Sequence, residues 1–210
     1  MLLKQWLTPT PMAVALLGAS VMAFGAVSAS ADDSVDMASH DQHAGPITTT
    51  STVQYAVPQV TLMRDDGKTV SLPEEMNDGR TVVLNFIFTS CGSICPLMSQ
   101  IFAQFQRKLG PDADKVHLMS ISTDPEEDTP ARLAEYARKF GAGPEWQHYT
   151  GTLDASLTAQ RAFDVYRGDK MSHTPVTLVR VAPGQPWRRI DGFVTPDELL
   201  REYRQLLASR

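Results

Sequence analysis

An α/β domain, in which a central mixed sheet is flanked by helices, is what this sequence predicts, and three observations carry that prediction. Thr81 to Phe88 and Val116 to Ile121 are near-continuous apolar runs of strand length, the pattern of strands buried on both faces. Helix signals separate and follow them, each with a start and a stop. The last third reads as two strands around a turn, then a helix, which completes a layered α/β arrangement.

Taken in order, Val60 to Met63 and Thr69 to Leu72 flank the polar turn Asp65-Asp66-Gly67-Lys68 and read as a short hairpin. Beyond the first buried strand, Pro96 suits a first helical turn. Ile101, Phe102, Phe105 and Leu109 form an apolar stripe that Gly110 ends. Asp128-Thr129-Pro130 opens another helix, with Leu133, Tyr136 and Phe140 on one side and Gly141 at its end. A further helix is expected over Leu153 to Val165. Pro175 to Val181 and Trp187 to Phe193 form the terminal strand pair around Pro183-Gly184. Thr195-Pro196-Asp197-Glu198 is a capping box with proline inside it, followed by Leu199, Leu200, Tyr203, Leu206 and Leu207. Strand, cysteine-bearing turn, helix, strand, helices, hairpin and helix describe a single domain of the thioredoxin type over residues 58–210.

Composition narrows the function. At 42% hydrophobic and 20% charged residues the 210-residue chain is too apolar for disorder, and two cysteines are too few for a disulfide scaffold. A formal charge of −5, with basic residues occurring singly or in pairs, argues against a nucleic-acid partner. Lys4 is the only charged residue among the first 31, Met12 to Val27 is uncharged and apolar, and Ala29-Ser30-Ala31 resembles a small-residue cleavage site. Residues 1–31 are therefore expected to be a signal peptide, or an anchor if uncleaved, since Met12 to Ala31 approaches the ~20 residues that span a bilayer. A membrane association follows only in the second case. Export implies an oxidising compartment. Residues 32–57, with Met37, His40, His43 and the run Thr48 to Thr52, show no sustained apolar period and read as a flexible leader; its histidines suit a solvated tether better than a preformed metal site.

The two cysteines stand at the carboxyl end of one strand and the amino end of the next helix, where open α/β sheets place their chemistry. In Cys91-Gly92-Ser93-Ile94-Cys95, residues four apart on a helix lie about 6 Å apart, within disulfide range, and two such thiols can also converge on one metal ion. The helix start favours thiolate, which is both nucleophile and ligand. A structural disulfide is the bland reading, weakened because so short a loop removes little unfolded-state entropy. His173 stands immediately before a strand, in the loop that a thioredoxin-like sandwich lays against the cysteine turn. His117 and His148, in or near strand cores, read as packing residues. Two soft thiolates and an imidazole suit copper, as Cu(I) or Cu(II); a closed zinc site wants four protein ligands.

Val83-Leu-Asn-Phe-Ile-Phe-Thr-Ser-Cys91-Gly-Ser-Ile-Cys95-Pro96, followed by Met119-Ser-Ile-Ser-Thr-Asp124-Pro125-Glu-Glu-Asp128-Thr129-Pro130 and a later histidine, resembles the Sco/SenC family over most of Val60 to Arg210. The resemblance implies a thioredoxin-like, exported or membrane-anchored copper protein, periplasmic here. Such proteins deliver copper to the dinuclear centre of cytochrome c oxidase, reduce its cysteines, or both. It puts Cys91, Cys95 and His173 at the copper-ligand positions and Asp124 at a recurrent acidic position near the site, where an ordinary turn role is equally open. The implied partners are a copper-accepting oxidase subunit or another cuproenzyme, and a thiol reductant protein.

Two departures bear on this. Gly92 stands where many members carry proline, and Thr174-Pro175 resembles the cis-proline that faces the cysteines of thioredoxin-like oxidoreductases. The second supports an alternative in which Cys91 attacks and Cys95 resolves as a catalytic thiol–disulfide pair. A thiol peroxidase ranks last, because Ser90-Cys91-Gly92 has no companion residues for that chemistry. Met98 and Met171 are candidate weak copper ligands for which core packing is the commoner fate.

Overall fold

The computed structural model describes residues 48–209. Eight strands form one mixed sheet: β1 (Thr49–Val53), β2 (Thr61–Arg64), β3 (Thr69–Ser71), β4 (Thr81–Ile87), β5 (Val116–Ser122), β6 (Trp146–Thr150), β7 (Val176–Arg180) and β8 (Trp187–Asp191). Five α-helices accompany them: α1 (Leu72–Met76), α2 (Ile94–Leu109), α3 (Pro130–Phe140), α4 (Leu153–Ala162) and α5 (Pro196–Ala208). The strand order is β1-β8-β7-β4-β5-β6-β2-β3. β4, β5 and β6 are parallel neighbours; the remaining pairings are antiparallel. This is the thioredoxin-like α/β architecture expected from the sequence.

β4 shows why the apolar runs become central strands. All seven of its residues are buried, and successive side chains enter opposite layers. Val82, Leu84 and Phe86 pack with Leu72 and Met76 of α1 and with Ala155 and Ala159 of α4. Val83 packs on the other face with Phe102 and Phe105 of α2 and Leu199 and Tyr203 of α5. Ile87 and Phe88, at the carboxyl end of β4, meet Leu133 and Tyr136 of α3 together with Cys95. The strand therefore ends inside the packed layer that holds the cysteine turn.

The helix boundaries follow the predicted chemistry. Thr129 caps α3 by accepting the Arg132 N–H at 3.3 Å, and Gly141 closes it in the left-handed conformation, φ 69°. Thr195 and Glu198 form the expected capping box at α5.

Three differences from the sequence expectation stand out. The flexible leader does not extend to residue 57: β1 pairs with β8 from Thr49 opposite Asp191 to Val53 opposite Trp187, and Tyr55 and Val57 pack against the core. Arg189 Nη1 also donates to the Tyr55 hydroxyl at 2.9 Å. β1 is an edge strand with four exposed residues, so it carries β-forming threonines but no apolar alternation to betray it. α1 is additional to the expected elements, β6 gives bounds to the strand near His148, and the helix expected to reach Val165 ends at Ala162. The expected signal peptide or anchor, and Met37, His40 and His43, lie outside the described residues. No helix among the described residues is long and apolar enough to cross a membrane.

Candidate metal and thiol site

Cys91 precedes α2 instead of lying on it, since the helix begins at Ile94. The turn is folded back by two short-range contacts. The Cys91 N–H donates to the Phe88 carbonyl at 3.2 Å, and the Cys95 N–H donates to Cys91 Sγ at 3.4 Å. Ser93, the capping residue by position, makes no side-chain cap. The Cys91 sulfur thus occupies the place of the helix cap, where N–H groups and the helix dipole favour negative charge. Gly92 is not imposed by crowding, because a Cβ there would meet nothing within 4 Å.

The two thiols are unequal. Cys91 is part-exposed and Cys95 is buried; both are free thiols. Burial pushes the Cys91 thiol up, but hydrogen bonds from the Cys95, Ser93 and Ile94 N–H groups and the Cys95 thiol outweigh it and leave Cys91 more acidic than an ordinary thiol. Burial drives the Cys95 thiol strongly the other way, only partly offset by the Phe88 N–H that donates to its sulfur at 3.4 Å. Beneath it, Ser99 Oγ and the Tyr136 hydroxyl share a buried hydrogen bond of 2.9 Å.

A carboxylate not singled out as a site residue fixes this turn. Asp128 is fully buried and accepts from the Thr89 N–H at 3.2 Å, from Thr89 Oγ1 at 2.5 Å and from Ser122 Oγ at 2.6 Å. It thereby ties the carboxyl ends of β4 and β5 to the start of α3. In the sequence it shows as the residue before Thr129-Pro130 and as part of the Asp124-to-Pro130 segment that carries the family resemblance.

His173 is buried at 6% exposure, and neither Nδ1 nor Nε2 has a hydrogen-bond partner. An imidazole with both nitrogens free suits a metal ligand; His148 is also without a hydrogen bond at either nitrogen, but its Nδ1 lies 3.5 Å from Asp65 Oδ2. Burial, then the Arg167 charge, hold it below the usual imidazole value, which favours the neutral ligating form. The ring lines a cavity of about 530 Å³ with Asp124, Arg167 and Lys170. Among the described residues no three His, Cys, Asp or Glu side chains are gathered closely enough to hold a metal ion. The cysteine pair is assembled, and His173 is not brought together with it.

The other candidates fall where packing would put them. His117 and His148 are buried on β5 and β6, with the His117 ring 2.9 Å from the Tyr149 hydroxyl. Met98 is buried in the α2 core, whereas Met171 is 72% exposed. Asp124 serves the turn, its carbonyl accepting the Glu127 and Asp128 N–H groups, and its carboxylate holds Lys170 Nζ at 2.5 Å.

A dithiol at the junction of a central strand and a helix, in a thioredoxin-like sheet, defines the class: a thioredoxin-like dithiol protein with an unpartnered histidine on a neighbouring loop. The sequence model of the SCO1/SenC family matches residues 48–208, and the chain belongs to that family. It is 36% identical over 106 residues to the SCO1 protein homolog of Bacillus subtilis, covering 50% of this chain and 54% of that protein. It is also 36% identical over 107 residues to the mitochondrial SCO1 homolog 1 of Arabidopsis thaliana, covering 50% of this chain and 30% of the relative. The matched segment thus spans about half or less of these relatives. Among solved structures, copper-bound Arabidopsis thaliana ScoI superposes with a TM-score of 0.62 at 26% identity, covering 74% of this chain and all of that one. BsSco, described as a member of the Sco family of cytochrome c oxidase assembly proteins with a disulfide switch, gives 0.64 at 25% identity, covering 76% and 98%.

Proposed function

We propose that this protein carries copper, with Cys91 Sγ, Cys95 Sγ and a ring nitrogen of His173 as ligands, for an acceptor such as the copper-bearing subunit of cytochrome c oxidase or another cuproenzyme. The observation that carries the reading is the preassembled sulfur pair. Cys91 Sγ is held by the Cys95 N–H and more acidic than a free thiol, beside a loop whose buried imidazole has no other partner. Two thiolates and one imidazole form the soft donor set that copper accepts at low coordination number. Copper-bound relatives of the same fold support the choice of metal. The site is read as periplasmic, with residues 1–31 serving as export signal or anchor.

The same pair makes copper holding conditional on redox state. Closing the Cys91–Cys95 bond turns both thiolates into a disulfide and passes two electrons to an oxidising partner disulfide, which takes up two protons from solvent and leaves as a dithiol, so the metal loses both sulfur ligands. A thiol reductant protein would restore the dithiol.

The unequal thiols favour a second reading, thiol–disulfide exchange. The Cys91 thiolate attacks a partner disulfide, forming a mixed disulfide and expelling one partner thiolate. Cys95 then gives up its proton and attacks Cys91 Sγ, which releases the second partner thiolate and leaves Cys91–Cys95 oxidised.

Copper titration of the reduced protein against a competing Cu(I) chelator tests the first reading. One copper per chain is expected, with binding lost by at least ~100-fold in Cys91→Ser and Cys95→Ser and weakened about tenfold or more in His173→Ala. Unchanged affinity in His173→Ala removes it from the ligand set. If the cysteine variants also bind copper normally while the wild type reduces a protein disulfide without metal, the exchange reading stands alone.

A further inference from the structure

The geometry points to Lys170 as a positioning residue for His173, acting through an ion pair with Asp124 that ties the histidine loop to the cysteine turn. The inference rests on the copper reading above.

The loop leaves α4 at Ala162 and enters β7 at Val176. Among the described residues, one hydrogen bond ties positions 166–174 to a distant part of the chain: Lys170 Nζ donates to Asp124 Oδ2 at 2.5 Å, across 46 positions of sequence. The polar contacts of Arg167, by contrast, go to Asp164 and Tyr166 within the same loop. The Lys170 anchor is well seated. The Asp124 side chain is 7% exposed, and its N–H donates to Ser122 Oγ, the hydroxyl that in turn donates to Asp128. Asp124 therefore belongs to the polar network that fixes the cysteine turn.

Lys170 also reaches the turn directly. Its Nζ lies 5.8 Å from the centroid of the Phe88 ring, within cation–π range. Phe88 in turn accepts the Cys91 N–H and donates its own to Cys95 Sγ.

On the other side, Lys170 opens a short 3-10 turn, Lys170–Ser172, whose last bond is the His173 N–H donating to the Lys170 carbonyl at 3.2 Å. Asp169 caps that turn by accepting the Met171 N–H at 2.9 Å. Displacing Lys170 therefore displaces His173. The imidazole makes no side-chain hydrogen bond of its own, so its place is set by β7 on one side and by this tie on the other. An untethered loop must lose backbone and rotamer freedom each time the imidazole joins the two sulfurs; the tethered loop has lost part of it already.

The test is a cycle of Cu(I) affinities on the reduced protein, read by chelator competition, with the unfolding midpoint of each variant measured alongside. Lys170→Leu is expected to weaken copper binding about tenfold and to reduce the nitrogen hyperfine signature of the Cu(II) form, with Lys170→Arg restoring both. Asp124→Asn is expected to weaken binding in the same direction by less. In a His173→Ala background, Lys170→Leu is expected to change affinity by less than about twofold, because the residue it positions has gone. Equal losses in both backgrounds overturn the inference, since Lys170 then acts on the sulfurs or on the net charge. No loss in Lys170→Leu while His173→Ala still weakens binding overturns the inference and leaves the ligand assignment intact. No loss in His173→Ala overturns the ligand assignment itself and the inference with it.

Discussion

The cysteine turn follows β4 and the histidine loop leads into β7, its antiparallel neighbour, and the two are held in opposite ways. Hydrogen bonds from three donors to a fully buried Asp128, two bonds through the Phe88 backbone and an apolar packing layer converge on the turn. Among the described residues, one ion pair between the buried Asp124 carboxylate and the exposed Lys170, with the cation–π contact of that lysine to Phe88, reaches the loop. The sulfur half of the site is thus built by the core of the domain. The loop that carries His173 is tied through Lys170 alone among the described residues and has a cavity beside it. Under the proposed copper reading, this division leaves the two sulfur ligands always present and the engagement of the third, His173, free to change.

The largest effect that can break this comparison lies at Asp128. Asp128→Ala leaves the Thr89 N–H, the Thr89 hydroxyl and the Ser122 hydroxyl without their acceptor. It is expected to cost about 3 kcal/mol of stability by urea denaturation. A loss below about 1 kcal/mol would mean that the turn is held by packing alone.

A smaller effect sharpens the inequality of the thiols. Iodoacetamide labelling followed by mass spectrometry is expected to modify Cys91 about tenfold or more faster than Cys95 near neutral pH. The thiolate is the reacting form, and the folded pKa of Cys91 is lowered. Its labelling rate therefore sets in at a lower pH in the native protein than in the unfolded chain, and falls away as pH drops through the native value. Comparable labelling of the two, or a native Cys91 onset above that of the unfolded chain, would remove the helix-start argument.

The same contrast separates what was legible in the sequence from what was not. The turn could be read because its chemistry is local: a buried strand, two cysteines four apart and Pro96 lie within one stretch of chain. Asp128 could be placed at a helix start but not as the anchor of Thr89, because that bond spans 39 positions and depends on parallel β4 and β5 ending side by side. The Lys170–Asp124 pair is hidden for the same reason. His173 was found through its place before a strand, yet nothing in its spacing tells that both ring nitrogens are buried without partners. β1 escaped because an edge strand exposed on both faces leaves no period to detect, and the bounds of β6 because buried His148 and Thr150 break its apolar run.

The central claim, that the assembled sulfur pair is completed by the imidazole of His173, is tested most directly by X-ray absorption at the copper edge on the reduced, copper-loaded protein beside its His173→Ala variant. The account predicts two sulfur neighbours and one imidazole nitrogen in the first protein, with the nitrogen lost and both sulfurs retained in the variant. An imidazole nitrogen that persists in His173→Ala, or a first shell without two sulfurs in the unsubstituted protein, would contradict it.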